Sequence, residues 1–328
     1  MKSLKKIIFI FSLLSFLMPL FAQEENSAES SPWSFSITTD FAYYPHVSPL
    51  VSDSTHFAPT DGIYSGLEGR VTGHAYYKIP TPIGISPLTA GDNLTLEGFL
   101  EVSPVSVKPG INISFTPIAF LVFNAGAEAG TGWNLLGIEG MGEWDAASDS
   151  HYSSITPFSA WYYHLWMQGT FQFDTGAIIP GDWTHIVMLA SYKAEYIGLS
   201  GQNNQDLWCW QGSSNQVNGW KYYSNAILAY QMPLFIKRAG IMAEFQGYYS
   251  DDAYEFGSNY DGNFMQIDLS PLAQFQLSEH DELSLLINFS SRRGYSSEYG
   301  SSYEETFLTK ISREWYFKRI ALSWTHNF

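Results

Sequence analysis

The residues best equipped for chemistry are few and scattered. His164 lies in Tyr162-Tyr163-His164-Leu165-Trp166. A histidine base in acyl transfer needs a hydroxyl or thiol nucleophile within hydrogen-bond reach. Position 166 is tryptophan, so a His-x-Ser spacing is absent there. His151-Tyr152-Ser153 has that spacing but falls in a Gly-, Ser- and Asp-containing stretch read as loop, with no Ser-Asn-Gly sequence beside it. Asp251-Asp252 and His185 supply acids and an imidazole with nothing to bring them together. The single cysteine, Cys209, stands between Trp208 and Trp210 and cannot form an internal disulfide. With no base to activate it, it is read as a loop residue. Asp251, Asp252, Glu255 and Asp261 cluster, and Asn259-x-Asp261-Gly262-Asn263 has the beginnings of a calcium loop without its bidentate glutamate. No catalytic set, no metal site and no cofactor is expected.

The polar residues are instead spread through segments of period two. Successive side chains of an extended strand point to opposite faces. Leu67, Gly69, Val71, Gly73, Ala75 and Tyr77 alternate with Glu68, Arg70, Thr72, His74 and Tyr76. A dry core would penalise that second set. The same rhythm sets Glu97 and Glu101 against Leu96, Leu100 and Val102, and His164 and Gln168 against Leu165 and Met167. It sets Lys193 and Glu195 against Tyr192 and Ala194, and Glu244 and Gln246 against Ala243 and Phe245. Glu68, Arg70, His74, Glu97, Glu101, His164, Gln168, Lys193, Glu195, Glu244 and Gln246 are therefore the candidates to line a hydrated interior, with apolar partners facing lipid. Gly126-Ala-Glu-Ala-Gly130-Thr-Gly132 ends a strand and opens no helix, so it is read as easing curvature, not as a phosphate cradle.

Both ends of the chain agree. Lys2, Lys5 and Lys6 precede an apolar run from Ile7 to Phe21, broken by Ser12, Ser15 and Pro19, with Ala22 before Gln23-Glu24-Glu25. This is the pattern of a secretory leader cleaved near Ala22, which divides the chain into a signal peptide, 1–22, and one domain, 23–328. At the other end Ile320, Leu322, Trp324, His326 and Phe328 share one face of a strand, opposite Ala321, Ser323, Thr325 and Asn327. A closing strand that stops on phenylalanine resembles the assembly signal of bacterial outer-membrane β-barrel proteins. The resemblance covers the whole mature chain without selecting a subfamily. It implies export, escort by periplasmic chaperones, insertion by the barrel-assembly machinery and residence among outer-membrane lipids.

Composition fits that class. Aromatics make up 17% and charged residues 15%, yet mean hydropathy is only −0.10. Such a chain spreads its membrane face over many alternating strands, not helices. The formal net charge is −16, and loss of the three leader lysines takes it to about −19. Nucleic acid is excluded as a partner by that balance, and a pore so charged would favour cations.

Short turns are placed at Ser103-Pro104, Thr116-Pro117, Pro233 to Lys237 and Ser278 to Asp281. Longer loops are placed at 47–63, 132–157, 198–219, 250–263 and 294–304. The expected fold is all-β: one antiparallel up-and-down transmembrane barrel of about 12 strands, with 10 and 14 as alternatives. Arg313 to Lys318 reads as a turn or part of a long strand. A narrow porin-like channel for small hydrophilic solutes or cations is the first functional expectation. A structural or adhesin-type surface barrel with aromatic binding loops is the second, and a lipid-modifying enzyme the third.

Overall fold

The computed structural model describes residues 31–48, 57–84, 88–89, 91–135, 137–145, 147, 152–255, 257–295 and 308–328. The leader and its cleavage point lie outside these residues, as does His151. Twelve long strands form the wall: β1 (Trp33–Val47), β3 (Thr60–Pro80), β4 (Asn93–Ser103), β5 (Ser106–Ile118), β6 (Leu121–Gly132) and β9 (Tyr162–Asp174), followed by β10 (His185–Leu199), β13 (Gly219–Gln231), β14 (Ile236–Tyr248), β15 (Gln266–Gln276), β16 (Asp281–Tyr295) and β17 (Lys310–Asn327). Each pairs antiparallel with its neighbour, and β17 pairs back onto β1, Ser36 with Asn327 through Tyr43 with Ile320. Closure removes the sheet edges, the condition for a sheet to sit in hydrocarbon. The fold is a closed 12-strand antiparallel barrel.

Among the described residues there are five further short strands. β2 (Phe57–Ala58) runs parallel to β17 at Trp315 and Tyr316. β7 (Met141–Trp144), β8 (Tyr152–Ser154), β11 (Trp208–Trp210) and β12 (Ser213–Gln216) make a separate four-stranded sheet.

The outward face is continuously apolar. Leu96, Leu100, Ile111, Ile113, Phe123, Leu165, Met167, Ile186, Leu228, Ile241, Leu269 and Leu322 are all exposed. In water each would forgo about 1.5–3 kcal/mol of burial, and no monomer in water leaves so large a band uncovered. Aromatic rings bound the band. Trp33, Phe35, Trp183, Phe235, Trp324 and Phe328 lie at the end where both termini of the barrel meet. At the other end, Tyr163 stacks on Tyr196 and Tyr196 meets Trp220 edge-on at 5.5 Å.

The connections depart from expectation in two places. The Pro104-Val105 hairpin between β4 and β5 is tight but sits at the loop end, among long connections, because β4 runs toward that end. Thr116 and Pro117 belong to β5, and the turn follows at Ala119-Phe120. Proline cannot donate to the ladder, and the pairing of β5 with β6 skips from Phe115 to Ile118 around it. Arg313 to Lys318 is strand, interrupted by an irregularity in the pairing of β16 with β17 between Asn288 and Phe289.

Candidate functional site

The pleat decides which side chains enter the barrel, and register decides which of them meet. Asp40 on β1 faces Arg70 on β3, and Arg70 Nε lies 2.7 Å from its carboxylate. Arg70 Nη1 reaches Glu101 of β4 at 3.2 Å. Lys108 of β5 bridges Glu101 (3.4 Å) and Glu128 of β6 (3.1 Å). His164 of β9 lies between two carboxylates, Nδ1 2.9 Å from Glu128 and Nε2 2.9 Å from Glu195 of β10. Lys193 closes this arc on Glu195 at 2.7 Å.

The other half continues with mixed chemistry. Lys193 Nζ lies 5.1 Å from the ring centroid of Tyr223 on β13, whose hydroxyl donates to Glu244 of β14 at 2.7 Å. Glu244 is in register with Asp268 of β15, which pairs with Lys318 of β17 at 2.7 Å and accepts from Ser290 of β16. Arg319 donates to the Tyr44 hydroxyl at 3.1 Å, Tyr44 donates to Glu68 at 2.9 Å, and Ser323 donates to Asp40 at 2.6 Å. The result is a polar girdle with members on all twelve wall strands. Lys318 and Arg319 are both buried although adjacent, because the irregularity between β16 and β17 turns two consecutive side chains inward.

The girdle is tightly packed. Lys108, Lys193, Glu195 and Glu244 are each less than 9% exposed, and Ser270, Gln274, Asn288 and Ser290 are sealed from solvent. Toward the terminal end, Ala42, Leu189, Ile227, Met242, Leu272, Leu286 and Ala321 form an apolar core between β10 and β1. Twelve strands fall between the side-chain-filled interior of eight and the aqueous bore of sixteen, and this interior is filled at mid-height.

The mouth is closed by opposite chemistry. Trp208 and Trp210 of β11 are fully buried among Met141, Tyr162, Leu199, Val217, Tyr248 and Tyr260. Trp210 stacks on Tyr162 at 4.6 Å. A Cβ at Gly130 would come within 3.0 Å of Trp210, and one at Gly126 within 2.1 Å of Trp166. The glycine-rich run at the end of β6 therefore makes room for two indoles.

Between β11 and β12, Gln211 (φ 50°) and Gly212 (φ 79°) form a two-residue turn with both central residues left-handed. Glycine adopts that backbone freely, whereas for glutamine it costs energy. Gln211 Nε2 donates to Glu101 (3.2 Å) and Ser106 (2.6 Å). The tip of this plug is hydrogen-bonded to the girdle. Cys209 lies within the plug, 3.7 Å from Glu139, and burial together with that carboxylate pushes its thiol pKa up.

Of the eleven interior candidates, Glu68, Arg70, Glu101, His164, Lys193, Glu195 and Glu244 fall in the girdle. His74 pairs with Glu97 at 2.8 Å nearer the terminal end, Gln168 donates to Thr170, and Gln246 is in register with Tyr223. Alternation leaves out Asp40, Lys108, Glu128, Asp268, Lys318 and Arg319. Glu128 is hidden in a glycine run, Lys108 stands before a proline, and the last pair needs the strand irregularity. Ile320, Leu322, Trp324, His326 and Phe328 face outward along β17, with His326 held by Asp281 at 2.9 Å.

Both ring nitrogens of His164 face carboxylates, which leaves no position for a serine nucleophile. His185 pairs with Asp174 at 2.7 Å, far along the chain from Asp251-Asp252. Asp251 accepts from the Gly262 amide and Asp261 pairs with Lys310. Among the described residues no group of three or more metal-binding side chains converges.

No protein-family model and no curated protein matches the chain. Among solved structures, an outer-membrane channel from Pseudomonas putida F1 shares 7% identity over 94% of this chain and 100% of its own, with a TM-score of 0.48. The β domain of the Bordetella autotransporter BrkA shares 9% over 90% and 99%, at 0.43. The outer-membrane channel DcaP of Acinetobacter baumannii shares 10% over 90% and 96%, at 0.36. No function follows from likeness at this level. By its own architecture the chain is a closed, twelve-strand antiparallel β-barrel with an apolar outer face.

Proposed function

We propose that this protein is a narrow, gated, porin-like channel of the bacterial outer membrane, passing small hydrophilic solutes or cations. The observation that carries the reading is the girdle of exchangeable ion pairs inside a closed, lipid-facing barrel. Buried ion pairs contribute little net stability against apolar packing of the same volume, so a barrel needing only rigidity has no reason to keep them. A charged solute can substitute for one member of each pair as it passes. The interior carboxylates outnumber the bases, which favours cations. In this reading the terminal end faces the periplasm, the leader is removed near Ala22, and the assembly machinery and chaperones act only during biogenesis.

The gate has two parts, the plug and the girdle beneath it. Planar-bilayer recording tests this. The full-length protein should give rare, small openings that become frequent when residues 200–218 are shortened. Silence in the wild type, in the shortened chain and in girdle variants alike would remove the channel reading. It would favour the second, a closed structural barrel, which the apolar core in the terminal half supports. In either case the plug tryptophans are buried and offer no exposed rings to a sugar or host partner.

A further inference from the structure

We propose that the lumen just beneath the girdle, on its terminal side, holds a binding crevice for a neutral sugar, with Phe99 and Trp166 as stacking surfaces. The inference deepens the channel reading by naming a class of solute, and rests on that reading for passage but not for binding. Phe99 and Trp166 both point inward, yet neither projects across the bore. Phe99 stands opposite Gly110, and Trp166 opposite Gly126. A Cβ at Gly110 would come within 2.1 Å of the Phe99 ring, and Gly126 leaves the same room for Trp166. Glycine on the neighbouring strand therefore lets each ring lie against the wall. The two glycines are on adjacent strands, staggered by two residues because Gly126 pairs with Asn112. The floors of the two rings thus adjoin, about 7–8 Å apart.

Polar groups edge the rings. Asn112 donates from Nδ2 to Glu97 at 3.2 Å, and Glu97 pairs with His74 at 2.8 Å. Gln168, one inward step from Trp166, donates to Thr170 at 3.0 Å. The side-chain oxygens of Asn112 and Gln168 are buried and accept from no donor among the described residues. Such an acceptor costs free energy, which a ligand bringing hydroxyl groups recovers. The carboxylate of this set already has an imidazole beside it, so the crevice suits a neutral ligand. A pyranose ring fits: its C–H faces are apolar and cover an aromatic ring, while its hydroxyls, each donor and acceptor, lie around the rim. A flat aromatic solute would stack as well but bring few donors.

The lumen at this level is asymmetric. From β10 round to β1 it is filled by Leu189, Ile227, Met242 and Leu286. On β4, β5 and β9, by contrast, Phe99, Asn112 and Trp166 are only half-buried. A solute entering from the terminal end meets the rings before it meets the girdle.

Isothermal titration of the full-length barrel, folded in an amine-oxide detergent without a sugar headgroup, tests the crevice. Maltotriose should bind, and sorbitol, an open-chain polyol with no ring face, should bind roughly tenfold more weakly. Phe99→Ala and Trp166→Ala should each weaken maltotriose roughly tenfold. Trp166→Phe should keep most of the affinity, and Trp33→Ala, in the outer aromatic band, all of it. No binding of maltotriose by the wild type, equal binding of sorbitol, or unaltered affinity in both alanine variants overturns the proposal. Tighter binding of adenosine than of maltotriose would mean a site for planar aromatics and overturn the sugar assignment. If the alanine variants do not fold, as read by heat-modifiable migration, Asn112→Ala and the wild-type preference over sorbitol decide. Titration needs no conduction: silent bilayers with maltotriose bound would remove the channel and keep the crevice, and conduction without binding would do the reverse.

Discussion

The girdle and the plug fill the same lumen by opposite means. The girdle is held by charges projecting from strands that are themselves hydrogen-bonded to both neighbours. The plug is held by indole and phenol rings on connections between strands. Removing one member of a buried ion pair leaves its partner charged and unpaired, at a cost of about 3–5 kcal/mol, and that cost falls on the wall. Removing a ring from the plug leaves a cavity whose cost falls on a unit able to detach while the wall remains closed. The girdle is part of the barrel's stability, and the plug is separable from it.

The largest expected effect tests the girdle side of this contrast. Lys108→Met removes the cation shared by Glu101 and Glu128, leaving Glu101 to Arg70 and Glu128 to His164. The barrel should lose about 3–5 kcal/mol, read as a lower urea midpoint for loss of heat-modifiable migration. A midpoint equal to wild type would show that water already serves these carboxylates, and that the girdle is not the packed layer described.

Trp210→Ala should cost a similar amount locally, about 3–5 kcal/mol, yet shift the barrel midpoint little. Its signature is at Cys209. The only thiol is buried and its pKa is pushed up, so in the folded wild type it should resist maleimide. In the variant, labelling should accelerate at least tenfold with the barrel still folded. If labelling and barrel unfolding shift together, plug and wall are one cooperative unit and the contrast fails.

How much of this was legible in the sequence also divides between the two regions. The wall was, because an inward residue is separated from an outward one by a single position, and Glu68-Gly-Arg70 or Lys193-Ala-Glu195 displays that on its face. Whether the inward residues leave a bore or pack against one another depends on register between strands such as β6 and β9, whose partners Glu128 and His164 stand 36 residues apart. No local pattern encodes that. The plug was less legible still. Trp208-Cys209-Trp210 admits both an exposed reading and one folded down onto the mouth, the second weighing more, but the features that fix it, Gly130 beneath Trp210 and the left-handed Gln211-Gly212 turn, are meaningful only once the strands are placed.

A smaller effect addresses the joint between the two layers. Gln211→Ala removes the donor to Glu101 and Ser106 while keeping the unfavourable backbone, and should release about 1–2 kcal/mol of plug attachment. Cys209 labelling should rise severalfold and barrel stability should not move. Gln211→Asn tolerates the left-handed backbone better but is too short to reach both acceptors, so it should lie between. If alanine and wild type label alike, the tip merely touches the girdle.

The smallest effect lies at the opposite end, where neither layer reaches. Asp281 accepts from Ser278, His326 and the Trp324 indole, tying the turn before β16 to the closing strand. Asp281→Asn should weaken that tie, lower the barrel midpoint only slightly, and leave Cys209 labelling at the wild-type rate. A labelling change would mean that closure of the wall at β1 and β17 is transmitted to the mouth, and that plug and barrel are less separable than their chemistry indicates.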